Sequence, residues 1–417
     1  MTGADEDKMP PSKIDFADEA VRPDPVLFDE TQAGEPVFAR HVLTSPLHIS
    51  VARASRTNLW EEWNGVTTPQ ILSAFEDEYR ALHTHAGLSD VSPLAKYRIS
   101  GRDAGAYLAH LLTDDVTMLA VHRHMQVVFC EEQGFVVGDG TLFRLDEVEY
   151  RLVAQRPHLS WLLDSAPGFR VKVEDVSASL AAIRLAGPLA RPLLAAAGFG
   201  GIEELKENAC VWCRPGGMPV YVTRGPLPAA YDLWIDREDA GVLWSRLMQK
   251  GEPYGVTPVG RQACDLLRLE AGLPLEGHDY AGAFYAPGKE ERLTPYDLGW
   301  GDRVDLVHGV FNGRAALRRI AGTPARWTLL HLEFEGSRDA VYRRLTTEKA
   351  FAGWITSAAY SPLRGRHVAL ARVLTAHASS PHLQVAAEPR SGFETGFLPV
   401  RKATDLLRSS VQASESR

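Results

Sequence analysis

The sequence predicts an α+β fold followed by a small all-β region, and three observations carry that expectation. Strand-like and helix-like stretches are mixed without the regular alternation of a doubly wound parallel sheet. The helical runs are marked by glycine or turn residues behind them. From Arg326 onward the pattern changes to short β-rich segments separated by turns.

Taken in chain order, residues 1–45 form an acidic, proline-bearing stretch without a sustained period, which reads as an arm. A first helix is expected from a Thr68 cap and Pro69 at the first helical position. Its apolar stripe is Ile71, Leu72, Phe75, Tyr79 and Leu82, and its stop is Gly87. Strands are expected at Tyr97–Ser100, Gln126–Cys130, Thr141–Leu145 and Tyr150–Ala154, then at Val171–Val173, Ala182–Leu185, Pro219–Thr223 and Tyr231–Ile235. Helices are expected at Ala104–Leu112, Arg237–Lys250 and Gly260–Ala271. Three further strands, Trp327–Phe334, His367–Val373 and Leu383–Ala386, build the terminal all-β region, and the stretch after about Asp405 reads as a tail.

Composition narrows the function. Lys and Arg total 45 against 53 Asp and Glu, a net charge of −8 in 417 residues, which argues against a nucleic-acid partner. The most apolar stretch, Leu180 to Gly201, is broken by Arg184, Pro188, Arg191 and Pro192, well short of the ~20 uninterrupted residues that span a bilayer. The acidic start lacks the basic, apolar pattern of a leader, so a cytoplasmic protein without a membrane partner is expected. Four cysteines are too few and too unevenly spaced for a disulfide framework, and Cys210 and Cys213 read as packed thiols in a strand or loop. The pairs His83/His85 and His122/His124 read as solvated or hydrogen-bonded side chains, so no metal is expected. There is no Gly-rich phosphate loop and no Gly-x-Ser-x-Gly elbow.

Two local features admit two readings each. Trp60 and Trp63 have the spacing of core aromatics on a helix face, which is the favoured reading; the other is that they wall a flat ligand. Gly138-Asp139-Gly140 lies between apolar residues and a strand. It reads either as a hairpin turn or as a functional carboxylate on backbone that a ligand can approach closely.

Longer stretches carry a resemblance. Gly251-Glu-Pro-Tyr-Gly-Val-Thr-Pro-Val-Gly, running on to Asp265-Leu-Leu-Arg-Leu-Glu-Ala-Gly-Leu-Pro-Leu-Glu-Gly-His-Asp, closely resembles the aminomethyltransferase family, which comprises the glycine-cleavage T-protein and its tetrahydrofolate-dependent demethylase relatives. Glu78-Tyr-Arg-Ala, Gly87-Leu-Ser-Asp-Val-Ser, Thr294-Pro-Tyr-Asp-Leu-Gly-Trp, Phe311-Asn-Gly-Arg-Ala-Ala-Leu, Ile355-Thr-Ser and Ser361-Pro-Leu-Arg-Gly-Arg-His-Val-Ala-Leu-Ala fall in the family's order. The similarity spans roughly residues 45–405.

The resemblance implies T-protein-like folate-binding subdomains around a central channel over 46–322, a β-barrel-like domain over 323–405 and a tail at 406–417. It implies tetrahydrofolate as the cofactor and places the family's second catalytic-segment carboxylate on Asp139, which would act near N5 of the pterin. The pterin-binding glutamate falls on Asp232, whose carboxylate would pair with the ring's amino and N–H groups. Gln126 and Gln155 would line the pocket, and Arg268, with Glu270, would support it from the helix beneath. Three positions depart from the family pattern: Gln126 replaces a tyrosine, Gly225 another tyrosine, and Cys264 an arginine. The stretch after Leu275 also lacks the signature of the family branch linked to iron–sulfur assembly. The implied activity is transfer of a methyl from O, N or S of a small methylated substrate to tetrahydrofolate. The alternatives are aminomethyl transfer of the glycine-cleavage type, with a lipoylated carrier protein as partner, and a non-catalytic folate-binding protein.

Overall fold

The computed structural model describes residues 43–307, 310–335, 341–348, 350–386 and 397–402. The acidic arm up to residue 42 and the tail from residue 403 lie outside the described residues. The fold is α+β, with two large sheets and one small sheet in the body and a closed barrel near the C-terminus.

The first sheet has the strand order β11 (Cys210–Cys213), β12 (Val220–Arg224), β13 (Ala230–Asp236), β10 (Leu180–Ala186), β4 (Ala86–Asp90), β14 (Val256–Pro258). Its two faces follow from the period of two along a strand. Ala181, Ile183 and Leu185 on β10, with Tyr231, Leu233 and Ile235 on β13, join one core with α1 (His48–Ala54), α5 (Ala190–Ala196) and α6 (Ala240–Gly251). The alternate residues, Arg184 and Asp232 among them, take the other face.

The second sheet runs β6 (Arg123–Cys130), β7 (Val136–Asp146), β8 (Glu149–Ala154), β5 (Ala95–Ser100), β9 (Lys172–Asp175). Tyr97, Ile99, Val127, Phe129 and Leu152 bury one face of it against α3 (Ala104–Leu111) and Leu162 of α4 (Leu159–Asp164). A bridging cluster that includes Phe143, Val153, Ala182, Tyr221 and Trp234 packs the opposite faces of the two sheets together. A small third sheet holds β1 (Leu43–Thr44), β3 (Val66–Ile71) and β2 (Leu59–Trp63).

The barrel closes in the order β15 (Trp327–Phe334), β18 (Arg366–Leu374), β17 (Ala350–Ser361), β16 (Arg344–Thr347), β19 (Leu383–Ala386), β20 (Phe397–Lys402). Leu332, Ile355, Ala371 and Val385 are among the residues that fill its core. Helix α7 (Arg261–Glu270) joins body to barrel through a buried polar knot. Glu270 accepts from Tyr79 Oη at 2.5 Å, His83 Nε2 at 2.8 Å and Ser361 Oγ of β17 at 2.7 Å. Burial alone would raise the Glu270 pKa, but these donors outweigh it and hold the carboxylate below its usual range. Helix α8 (Arg314–Ile320) packs Leu317 into a cluster with Val136 and Trp327.

The first helix differs from expectation. Thr68 and Pro69 lie in β3, and helix α2 runs Phe75–Thr84. Its entry is capped from inside by Glu78, whose Oε1 accepts from the N–H groups of Leu72 at 2.7 Å and Ser73 at 2.6 Å. Trp60 and Trp63 belong to strand β2 rather than to a helix face. Cys210 and Cys213 are buried free thiols at the ends of β11, and burial pushes Cys213 up to about 11. Among the described residues no helix is long and apolar enough to cross a membrane, and no cluster of His, Cys, Asp and Glu is arranged to hold a metal.

Candidate active site

A cavity of about 240 Å³ lies between the two sheets, flanked by the start of α7 and the segment 273–276. Asp139, Asp232, Gln126, Gln155 and Arg268 all line it. Trp63 does as well, whereas Trp60 packs on the core beside α1 and its indole N–H donates to Asn58 Oδ1 at 3.0 Å.

One wall is β6–β7–β8. Gly138-Asp139-Gly140 is not a turn but the interior of β7, with Asp139 opposite Val128 of β6. The register shifts between Phe129 and Cys130, leaving an extra residue on β7 just before Asp139, a device that re-aims side chains beside functional sites. The glycines are required by close approach. A Cβ at 138 would meet His158 Nε2 at 2.6 Å, and one at 140 would meet the Val153 carbonyl at 2.5 Å.

Asp139 Oδ1 accepts the Tyr280 hydroxyl, and Tyr280 stands edge-on to Trp300, ring centroids 5.5 Å apart. The carboxyl keeps a face toward the cavity but lies deep below the protein surface. That burial, reinforced by the nearby Glu276 charge, pushes its pKa up to about 6 against the opposing pull of Tyr280, Arg303 and His158. Burial and the Asp139 charge raise Tyr280 well above its ordinary value, so it remains a donor. Glu276 bonds His158 Nε2 at 3.2 Å through Oε2. On the same wall Gln126 Nε2 donates to Thr141 Oγ1 at 2.8 Å. Gln155 follows β8 and anchors Asn64 through its main-chain oxygen at 2.8 Å. His124, also on β6, is buried, donates through Nε2 to the Arg224 carbonyl at 2.9 Å, and has its pKa lowered by burial.

The facing wall carries a polar row across four strands. Ser89 of β4 is opposite Arg184 of β10, Arg184 is opposite Asp232 of β13, and Asp232 is opposite Thr223 of β12. All four line the cavity. Arg184 clamps Asp232 in bidentate fashion, Nε to Oδ1 at 2.7 Å and Nη2 to Oδ2 at 2.9 Å. Burial opposes the Arg184 charge, but the Asp232 carboxylate more than compensates and raises the guanidinium pKa. Each oxygen of Asp232 thus already accepts one hydrogen bond from Arg184.

The guanidinium of Arg268 is held by protein groups on every side. Its Nε holds Asp265 at 2.7 Å, Nη1 holds the Leu273 carbonyl at 3.1 Å and the Asp279 carboxylate, and Nη2 holds Ser357 Oγ of the barrel at 3.0 Å. All three nitrogens are committed to the protein, so Arg268 positions α7 and the following segment. Arg184, Tyr280, Glu276, Trp300 and Arg303 were not singled out from the sequence as site residues. Arg184 does leave a signal in the sequence, a lone charge inside the apolar run Leu180–Ala186.

Comparison with known proteins agrees with this architecture. A family model described as the GCVT N-terminal domain matches residues 41–287. An aminomethyltransferase of Streptomyces avermitilis is 31% identical over 368 residues, covering 85% of this chain and 95% of that protein. One from Streptomyces coelicolor is 31% identical over 346 residues, covering 80% and 90%. The crystal structure of the glycine cleavage system aminomethyltransferase T from Bartonella henselae superposes with a TM-score of 0.75 at 22% identity, covering 87% of this chain and 96% of that one, and shares the fold. The chain belongs to the aminomethyltransferase family, whose members are tetrahydrofolate-dependent one-carbon transferases.

Proposed function

We propose that this chain transfers a one-carbon unit from an aminomethyl donor to tetrahydrofolate. The name borne by the relatives favours this over methyl transfer from O, N or S of a small substrate. In the glycine-cleavage form of the reaction, the aminomethyl carbon leaves the sulfur of a lipoylated carrier protein, the amine departs as ammonium, and the carrier regains a thiol. The tetrahydrofolate, when bound, supplies nucleophilic nitrogen.

The residues present fit that group. Arg184 and Asp232 offer a polar edge for the pterin, and Gln126 and Gln155 add neutral partners between apolar walls. Across the cavity, Asp139 holds a carboxyl whose pKa of about 6 suits taking up and returning a proton near neutral pH. Tyr280 fixes the direction of that carboxyl by donating to Oδ1, and Arg268 keeps α7 in place beneath. The observation that carries the reading is the presence in one cavity of a buried carboxyl with a raised pKa, Asp139, facing the Arg184–Asp232 pair.

The test is an anaerobic single-turnover assay with an aminomethyl-loaded lipoylated carrier. Ammonium release coupled to 5,10-methylenetetrahydrofolate, lost in Asp139→Asn, supports the proposal. A second reading, methyl transfer to give 5-methyltetrahydrofolate, is favoured by one observation: Gln126, Gly225 and Cys264, where the chain departs from the family pattern, all line the cavity. Turnover of methylated amines but not of the loaded carrier would replace the first reading with the second.

A further inference from the structure

The pair on the facing wall has more donors than it uses. Arg184 spends Nε and Nη2 on Asp232, and among the described residues its Nη1 has no partner. Side-chain exposures of 23% for Arg184 and 14% for Asp232 show that both reach the cavity rather than being sealed beneath it. The two are locked by strand register, being directly opposite on β10 and β13, so their relative placement is not a matter of flexible side chains finding each other.

The pair thus presents an edge with a donor beside an acceptor and no net charge. A ligand carboxylate placed there would meet the Asp232 charge, and an ammonium group would meet that of Arg184. A neutral edge carrying an acceptor beside a donor meets neither penalty. On the reading of this cavity as a folate site, the matching edge is the lactam of the pterin, a C4 carbonyl next to N3–H. A lone carboxylate could take N–H groups only and would leave the carbonyl unread. We propose that Arg184 is a specificity residue that donates to the pterin C4 oxygen through its free nitrogen while Asp232 accepts from N3–H.

The inference rests on the folate reading, and the experiment separates the two. Calorimetry compares tetrahydrofolate with its 4-amino analogue, which replaces the carbonyl by a donor and N3–H by an acceptor. Wild type is expected to prefer tetrahydrofolate by about tenfold or more, because the analogue sets donor against donor and acceptor against acceptor. In Arg184→Met the tetrahydrofolate affinity falls by about tenfold and the preference collapses or reverses, since a lone Asp232 no longer penalises the 4-amino group. The double variant Arg184→Met/Asp232→Asn, which leaves no orphaned charge, loses the preference too, and circular dichroism checks that each variant is folded. Wild type that binds tetrahydrofolate without distinguishing the analogue, or a folded Arg184→Met that keeps the preference, overturns the inference alone. Folded wild type that binds neither pteridine overturns the folate reading and the inference with it.

Discussion

Asp139 and Asp232 are the same side chain on facing walls of one cavity, and their surroundings drive them to different ends. Asp139 has one hydroxyl donor and a second carboxylate nearby, so burial wins and its pKa moves up to about 6. Asp232 has a guanidinium on both oxygens, a pairing that compensates for its depth. Role here is assigned by the neighbour across the strand or loop, Tyr280 in one case and Arg184 in the other. A group that can change its proton suits chemistry, and a group whose charge is matched suits recognition.

The largest expected effect comes from removing the titratable partner. Asp139→Asn keeps the oxygen that accepts from Tyr280 but cannot exchange a proton, so one-carbon transfer should fall by about 10²–10⁴ with tetrahydrofolate affinity nearly unchanged. In wild type the single-turnover rate should rise with pH through about 6, as the carboxyl ionises, and the variant should lose that limb. A transfer rate unaltered in the variant would end the distinction between the walls.

Next in size is the group that keeps the walls in place. Arg268→Met leaves the buried Asp279 without its cation and cuts the tie to Ser357 on the barrel. Breaking a buried pair of this kind costs about 3–5 kcal/mol, measurable by urea unfolding. If Arg268 contacts the cofactor instead of positioning α7, the loss will appear in tetrahydrofolate affinity without a matching loss of stability.

Smaller again is the recognition wall. Asp232→Ala should weaken tetrahydrofolate binding by about 10- to 100-fold, the range for losing a charge-assisted hydrogen bond. It should also destabilise the fold by about 1–3 kcal/mol, because Arg184 is left partly buried and unpaired. Calorimetry and unfolding read the two effects separately. Unchanged affinity would mean that the polar row faces something other than the pterin.

How much of this was legible in the sequence depended on sequence separation. Trp327–Phe334 and Leu383–Ala386 were readable as strands because β-branched and aromatic content is a local signal, and the α+β class followed from such signals. Thr68-Pro69 fits a helix start locally, yet both residues lie in β3 and α2 begins at Phe75. The decisive acceptor, Glu78, lies inside the helix and also reaches Gly260 N–H at 2.8 Å, 182 residues away. Asp139 stands out locally between two glycines, but its hydroxyl partner Tyr280 is 141 residues away, beyond any local pattern. Arg184 is 48 residues from Asp232, and only the register of β10 against β13 reveals that they face each other. Local chemistry named candidates, and long-range pairing decided what each of them does.

The smallest expected effect is also the one that most directly opposes the two aspartates. A carboxyl whose folded pKa lies above its unfolded value binds its proton more tightly when folded. Its contribution to stability is complete below the unfolded pKa, near 4, and is lost as pH rises through about 6. Asp139 should therefore destabilise the folded protein at pH 7.5 relative to a residue that cannot ionise. Asp139→Asn should be indistinguishable from wild type in stability near pH 4 and more stable by about 1–2 kcal/mol at pH 7.5, allowing for the face of the carboxyl that remains open to the cavity. Asp232→Ala shifts stability at pH 7.5 the other way. Urea unfolding of both variants at the two pH values reads the sign directly. An Asp139→Asn protein that is less stable than wild type at pH 7.5 would mean that the Tyr280 hydrogen bond outweighs burial, and that both walls hold their carboxylates by the same means.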